Sequence, residues 1–174
     1  NFYIKHHETY VSHTDDLLSS SQHYQNLLAP HLKPLSKRLD DWMHCDYEKN
    51  PKHIETLIHT GSNGNPVRSK SESLIDTLLS HHKIPFRYEC KLELDEVIYY
   101  PDFTIRHPKS GAIYYWEHLG KMDDPKYVNA NLDKLRTYIN NGIIPGINLI
   151  LTFETKKKPL KRDYIEMMIQ YYFL

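Results

Sequence analysis

Two strand-like runs, Val97-Ile-Tyr-Tyr-Pro-Asp-Phe-Thr-Ile105 and Ala112-Ile-Tyr-Tyr-Trp-Glu-His-Leu-Gly120, are separated by the turn signal Pro108-Lys-Ser-Gly111. Each run carries one acidic residue, Asp102 in the first and Glu117 in the second, where a strand normally buries an apolar side chain. A hairpin that directs two carboxylates to one place is unfavourable unless a positive charge lies between them. The pattern therefore indicates a site for a divalent metal ion, since carboxylates are common ligands of such ions.

Helices and strands are predicted on both sides of this hairpin. The segment Ser69-Lys-Ser-Glu72 has the spacing of a capping box and precedes an apolar stripe, which predicts a helix. In chain order, the predicted elements are a helix over 71–82, strands over 86–94, 97–105 and 112–120, a helix over 123–142, a strand over 147–153 and a helix over 159–172. This order predicts a three-stranded meander followed by a strand buried on both faces.

The helix that begins at Asp124-Pro125 has two distinct faces. Apolar residues at helical spacing predict its core stripe, which consists of Val128, Leu132, Leu135 and Ile139. A polar and aromatic flank lies beside this stripe and consists of Tyr127, Asn131, Lys134 and Tyr138. One flank of the helix is thus polar and aromatic, and it contains a lysine.

The first 65 residues form a separate predicted region, rich in polar side chains. Helical spacing predicts short helices over 17–28, 35–45 and 51–59. The loop signal Gly61-Ser-Asn-Gly-Asn-Pro66 predicts a boundary. We therefore expect a helical N-terminal extension over 1–65 and an α/β domain over 66–174.

The composition restricts the classes of partner and compartment. The formal net charge of the 174-residue chain is zero, so no global charge attracts it to nucleic acid or to a membrane. Cys45 and Cys90 have no pairing pattern, which favours a reducing, cytoplasmic location. No apolar run is long enough to cross a bilayer, so no membrane partner is expected. The chain begins with Asn1, which is consistent with part of a longer protein.

Four segments together are similar to the PD-(D/E)xK nuclease superfamily, and narrowly to a bacterial branch of it. These segments are Val67-Arg-Ser-Lys-Ser-Glu72, Tyr100-Pro-Asp-Phe103, Tyr115-Trp-Glu-His-Leu-Gly120 and Asn141-Gly-Ile-Ile-Pro145. The resemblance covers roughly residues 67–153 and implies a restriction-endonuclease-like core. It also implies hydrolysis of phosphodiester bonds of nucleic acid, with DNA the expected substrate and Mg²⁺ or Mn²⁺ the expected cofactor.

The resemblance also implies a set of site residues. Asp102 and Glu117 would bind the metal ion, and the backbone carbonyl of His118 would be a further ligand. Glu72 would complete the acidic set directly or through water. The remaining expected contacts with nucleic acid come from Arg68, Lys70 and Tyr138.

The chain departs from the superfamily pattern at Leu119, which occupies the position of the usual motif lysine. That lysine would orient or deprotonate the attacking water and stabilise charge on the phosphate. Lys134 is the first candidate to replace it, because some superfamily members move the lysine to this helix. Lys121 and Lys91 are the second and third candidates.

Simpler interpretations compete with each of these roles. Glu72 could serve only as the capping partner of Ser69, and Asp102 could be a turn residue after Pro101. Glu117 could be an ion-paired edge residue, and Lys134 a solvated helix lysine. For the whole domain, the alternatives are a catalytically inactive module that binds nucleic acid and a protein-interaction module. The lysines at 156–158 could contact phosphate or belong to a solvated loop.

Overall fold

A computed structural model describes residues 35–174, so the predicted helix over 17–28 lies outside the described part. In chain order, the elements are α1 (Leu35–His44), a 3₁₀ turn (Ile54–Thr56), β1 (His59–Thr60), a second 3₁₀ turn (Ser62–Gly64), β2 (Pro66–Val67), α2 (Lys70–His81), β3 (Phe86–Tyr88), β4 (Leu92–Leu94), β5 (Val97–Tyr99), β6 (Phe103–Arg106), β7 (Ile113–Leu119), α3 (Pro125–Asn140), β8 (Leu149–Phe153) and α4 (Arg162–Phe173). The predicted mixed α/β class is confirmed.

The chain divides into two compact units, 1–42 and 43–174. The second unit contains β1 to β8, and it begins at Met43 rather than at the predicted boundary of residue 66. Local pairing accounts for the earlier start: Lys49 forms a bridge with Cys90, and β1 pairs with β2. The segment before residue 66 therefore includes part of the α/β unit.

The central sheet has four strands in the order β3–β6–β7–β8. Its first three strands form the predicted antiparallel meander, and β8 pairs in parallel with β7. Parallel neighbours require a crossover connection, which α3 supplies. The predicted order of helices and strands after residue 69 is thus confirmed, with one additional small sheet formed by β4 and β5.

Strand alternation gives the central sheet two different faces. One face carries Trp116 and Ile150, which belong to the main apolar core together with residues of α2 and α4. The opposite face carries Leu149, which packs in a smaller cluster with Tyr138 of α3. Because Glu117 follows Trp116 in β7, its side chain lies on the α3 face.

The face that α3 buries differs from the prediction. Tyr138, from the polar and aromatic flank, is 0% exposed, whereas Leu132 and Ile139 of the predicted core stripe are 50% and 46% exposed. The flank faces the sheet because Glu117 is buried there and needs donors for its carboxylate. Lys134 and Tyr138 supply these donors.

The first two predicted strands are each divided into two shorter strands in the structure. Glu89 has a φ of +45°, a left-handed conformation that ends β3. Residues 92–94 then pair with β5 in the separate two-stranded sheet. The continuous strands predicted over 86–94 and 97–105 are therefore wrong. The apolar alternation continues across the break, so periodicity alone cannot locate it.

Smaller differences lie at the ends of other elements. The helix predicted over 51–59 is a short 3₁₀ turn, and Ile58 is 74% exposed. β8 begins at Leu149 rather than at residue 147, and Phe153 is 57% exposed, so its last residue is not buried on both faces. α4 begins at Arg162 rather than at residue 159. The helices predicted over 35–45 and 71–82 are confirmed within a residue at each end.

The tight turn between β4 and β5 offers a test of the fold. Asp95 and Glu96 have φ values of +49° and +65°, as in a type I′ turn, which favours glycine at its second position. Glu96→Gly is therefore expected to increase the free energy of unfolding by about 0.5–1 kcal/mol in urea titrations. The control Glu93→Gly, within β4, should decrease it by a similar amount. Equal effects of the two changes would contradict this turn geometry.

Candidate active site

The strand register brings Asp102 and Glu117 to one edge of the sheet. Phe103 pairs with Trp116, so the next position along the antiparallel ladder places Asp102 opposite Glu117. The backbone N–H of His118 donates a 2.6 Å hydrogen bond to Oδ2 of Asp102. This contact extends the strand pairing and holds the Asp102 carboxylate beside β7.

Glu117 is bound by two side chains of α3. Its carboxylate is 2% exposed, and Nζ of Lys134 lies 2.7 Å from each of its oxygens. The hydroxyl of Tyr138 donates a 2.8 Å hydrogen bond to Oε1. Glu117 is therefore ion-paired, and the interpretation of Lys134 as a solvated lysine is wrong. Tyr138 was expected to contact nucleic acid, but it is fully buried and instead orients Glu117.

The protonation states of these donors follow from their surroundings. Burial alone would lower the pKa of Lys134, but the carboxylates of Glu117 and Asp102 raise it above its usual value overall. Burial and the Glu117 carboxylate both raise the pKa of Tyr138. At neutral pH the site therefore has a charged ammonium and a neutral phenol, both of which donate to Glu117.

Burial and neighbouring carboxylates both disfavour the charged form of Asp102. Burial raises the pKa of Asp102 well above its usual value, and the carboxylates of Glu117 and Glu72 raise it further. Lys134 and the His118 N–H act in the opposite direction but do not reverse the shift. Such a shifted carboxyl group is typical of sites that bind a cation or transfer a proton.

Glu72 lies in the first turn of α2 and is 9% exposed. Its carboxylate accepts hydrogen bonds from the hydroxyls of Ser69 at 2.7 Å and Tyr88 at 2.5 Å. Ser69 in turn accepts the Glu72 N–H at 3.1 Å, which confirms Ser69 as the N-cap of α2. The Glu72 carboxylate accepts the backbone N–H of Arg68 at 3.2 Å, whereas a full capping box would have it accept the N–H of Ser69. Glu72 also contributes its charge to the raised pKa of Asp102, so the structural and electrostatic roles coexist.

Arg68, expected to contact phosphate, is instead surrounded by protein acceptors. Its guanidinium pairs with Glu89 at 2.6 and 2.8 Å. It also donates to the backbone carbonyls of Lys52 at 2.7 Å and His53 at 2.6 Å. Arg68 therefore fixes the segment before α2, whereas Lys70, the other predicted contact, is exposed at the start of that helix.

The three candidate replacements for the motif lysine occupy different places. Leu119 is 7% exposed and lies two positions after Glu117, on the same strand face. Lys121 is exposed in the turn after β7. Lys91 pairs with Glu48 at 2.8 Å. Within residues 35–174, Lys134 is the candidate whose ammonium contacts Glu117.

Sequence analysis missed Glu154, the residue that follows β8. Its Oε1 accepts a 2.9 Å hydrogen bond from the hydroxyl of Ser71 and lies 3.3 Å from Nε2 of His118. Its Oε2 accepts the backbone N–H of Leu160 at 2.7 Å. Burial alone would raise the pKa of Glu154, but these hydrogen bonds lower it below its usual value. The rule that functional residues gather at the carboxyl ends of parallel strands could have identified it.

The carboxylate oxygens of Asp102 and Glu117 are the type of ligand atom that hard divalent cations prefer. In the described range 35–174, no group of three or more His, Cys, Asp or Glu side chains is placed to hold a metal ion. Mg²⁺, however, is commonly bound through one or two carboxylates, with water and substrate phosphate as the other ligands. The excess negative charge around Asp102 is the feature of this chain that such an ion would neutralise.

Comparisons of the chain with protein-family models, curated proteins and solved structures gave no match. The fold and the site define a mixed α/β protein that has a carboxylate–lysine cluster at one edge of its central sheet. None of the helices between residues 35 and 174 combines the length and apolar character needed to cross a bilayer.

Proposed function

We propose that this chain is a metal-dependent nuclease of the PD-(D/E)xK type, with a restriction-endonuclease-like core. The observation that carries the proposal is the contact of Lys134 with Glu117 of β7, which lies opposite Asp102, the residue directly before β6. Two carboxylates can hold a metal ion that assists phosphodiester hydrolysis, and a nearby lysine can help to stabilise the charge that develops on the phosphate. The proposed substrate is nucleic acid, with DNA expected.

Each residue has a distinct role in this proposal. A bound Mg²⁺ or Mn²⁺ would supply Lewis acidity to the phosphate and to the attacking water. Asp102, Glu117 and the backbone carbonyl of His118 would hold the ion, and Glu72 would support it through water. Lys134 would orient the attacking water and stabilise charge on the phosphate, a role that Leu119 cannot perform.

A second candidate function is a catalytically inactive module that binds nucleic acid. It is favoured by the present partners of Glu117, because both carboxylate oxygens contact Lys134 and Oε1 also accepts from Tyr138. Leu119 at the usual lysine position favours it too. This alternative predicts binding that barely depends on metal ions and no cleavage.

Metal removal tests the nuclease proposal. Labelled single- and double-stranded DNA and RNA would be incubated with the protein in Mg²⁺, in Mn²⁺ and in EDTA. We expect EDTA to lower the cleavage rate by at least about 100-fold and excess metal to restore it, because the ion activates water and neutralises phosphate charge.

Asp102→Asn, purified in the same way, controls for contaminating nucleases. Metal-dependent cleavage by the wild type but not by this variant would support the proposal. Absence of cleavage of every substrate by folded wild-type protein would reject it in favour of the inactive binding module. Equal cleavage by both proteins would assign the activity to a contaminant.

A further inference from the structure

Six exposed lysines lie on three segments that contact Glu154, and we call this group of lysines the basic rim. They are Lys70, Lys121, Lys156, Lys157, Lys158 and Lys161. None of their ammonium groups forms an ion pair within the part of the chain that the structure describes. By contrast, Lys91 and Lys134 each have a carboxylate partner.

Glu154 joins the three segments that carry these lysines. Its carboxylate binds Ser71, the neighbour of Lys70, and the backbone N–H of Leu160, which lies between Lys158 and Lys161. Its backbone carbonyl accepts the N–H of Met122, the neighbour of Lys121, at 3.1 Å. The rim is therefore assembled by the fold from segments that are distant in sequence.

The positive charge of the rim is concentrated in one part of the chain, although the chain as a whole is neutral. The whole chain has a formal net charge of zero, so attraction of a polyanion must come from uneven charge placement. Residues 156–161 contain four lysines and no acidic residue. Arg162, next in sequence, is excluded from the rim because it pairs with Glu166 at 3.4 Å.

The rim adjoins the candidate active site through neighbours in sequence. Ser71, bound to Glu154, directly precedes Glu72. His118, whose Nε2 lies 3.3 Å from Glu154, directly follows Glu117. By strand alternation the side chain of His118 lies on the opposite face of β7 from that of Glu117, so the rim and the site share one end of β7. A chain of phosphates bound to the rim would cross this strand end to reach the carboxylates.

We propose that the basic rim binds the sugar–phosphate backbone of nucleic acid and guides it across the Asp102–Glu117 edge. The inference deepens the proposed function, on which it rests for the substrate class. Ammonium groups act as point charges on phosphates and do not read bases, so this binding is independent of base sequence and strongly dependent on salt.

The experiment measures binding in EDTA, where cleavage does not interfere. Fluorescent 20-nucleotide single strands and 20-base-pair duplexes would be titrated at several salt concentrations, with Lys156→Gln/Lys157→Gln/Lys158→Gln as the test variant. The control variant, Lys52→Gln/Lys83→Gln/Lys109→Gln, removes the same charge from exposed lysines outside the rim. Circular dichroism and thermal unfolding would show that both variants are folded.

We expect the test variant to bind about 10- to 100-fold more weakly at ~0.1 M salt, because each lost phosphate contact lowers the magnitude of the log–log salt slope by about 0.9 for duplexes and about 0.7 for single strands. The control should bind within about 3-fold of the wild type. Equal weakening in both variants, or no wild-type binding at low salt, would overturn the inference. Equally tight binding of polyglutamate would overturn the assignment to nucleic acid.

The cleavage assay separates this inference from the proposed function. Rim-dependent binding without cleavage would support the rim and reject the nuclease. Metal-dependent cleavage together with unchanged binding by the test variant would support the nuclease and reject the rim.

Discussion

Replacement of Lys134 by Met is expected to lower the cleavage rate by about 10²–10³-fold, the usual effect of removing a positioned donor that stabilises charge in the transition state. The same change should decrease the free energy of unfolding by about 3–5 kcal/mol, because it leaves an uncompensated buried carboxylate. Glu117 is 2% exposed and would keep only the hydroxyl of Tyr138 among its two α3 donors. Initial cleavage rates and urea unfolding measure the two effects.

A double variant separates catalysis from stability. Glu117→Gln removes the charge that Lys134 neutralises, so Lys134→Met/Glu117→Gln should regain most of the lost stability while remaining inactive. Lys126→Met, at an exposed position of the same helix, is the matched control and should change neither quantity. A Lys134→Met protein as active as the wild type would contradict the catalytic assignment.

Asp102→Asn should have opposite effects on activity and stability. We expect cleavage to decrease by at least about 100-fold, because the neutral amide is a poorer ligand for a hard cation. We also expect the free energy of unfolding at neutral pH to increase by about 1 kcal/mol, because a buried negative charge is removed. The amide oxygen can still accept the N–H of His118.

The raised pKa of Asp102 makes the free energy of unfolding depend on pH, and this dependence shows why Asp102→Asn is expected to be more stable than the wild type at neutral pH. Burial and the neighbouring carboxylates raise the pKa of Asp102 in the folded state. The folded protein therefore holds the proton at pH values where the unfolded chain, with a pKa of about 3.9, has released it. The contribution of Asp102 to stability thus decreases as the pH rises from about 4 through the raised folded pKa.

Urea unfolding across this pH range would compare the wild type with Asp102→Asn. The difference between the two should grow with pH and then level off above the folded pKa. Asp163→Asn, at an exposed position in α4, should follow the wild type. Parallel curves for the wild type and Asp102→Asn would contradict the raised pKa.

Local signals were enough to predict α2, the meander and the two facing acidic residues, although Asp102 lies in a bend directly before β6 and only Glu117 lies within a strand. The pair Ser69 and Glu72 determines where α2 begins, because Ser69 is the N-cap that accepts the Glu72 N–H and its hydroxyl donates to the Glu72 carboxylate. The turn at 108–111 determines which strands are adjacent, and their pairing then places Asp102 opposite Glu117. Each of these features depends on residues that are close in sequence or in one hairpin.

The features that sequence analysis missed depend on distant partners. The buried face of α3 is the one that donates hydrogen bonds to the Glu117 carboxylate. Helical periodicity takes no account of such contacts with another element. The contacts of Glu154 with His118 and Ser71 follow from the parallel pairing of β7 and β8 and from the position of α2. The break at Glu89 could not be predicted from a turn residue. Glutamate is unusual at positive φ, so its presence does not indicate a break in the strand.

The position of β8 has a consequence for the growing chain on the ribosome. β8 pairs with β7, the strand that carries Glu117, only after residues 120–148 and all of α3 have been synthesised. Until then, one edge of β7 has unpaired backbone N–H and C=O groups, and such an edge can pair with other chains. A non-local parallel contact is also slow to form. Biosynthesis therefore includes an interval in which β7 is an unprotected edge strand that can pair with other chains and aggregate.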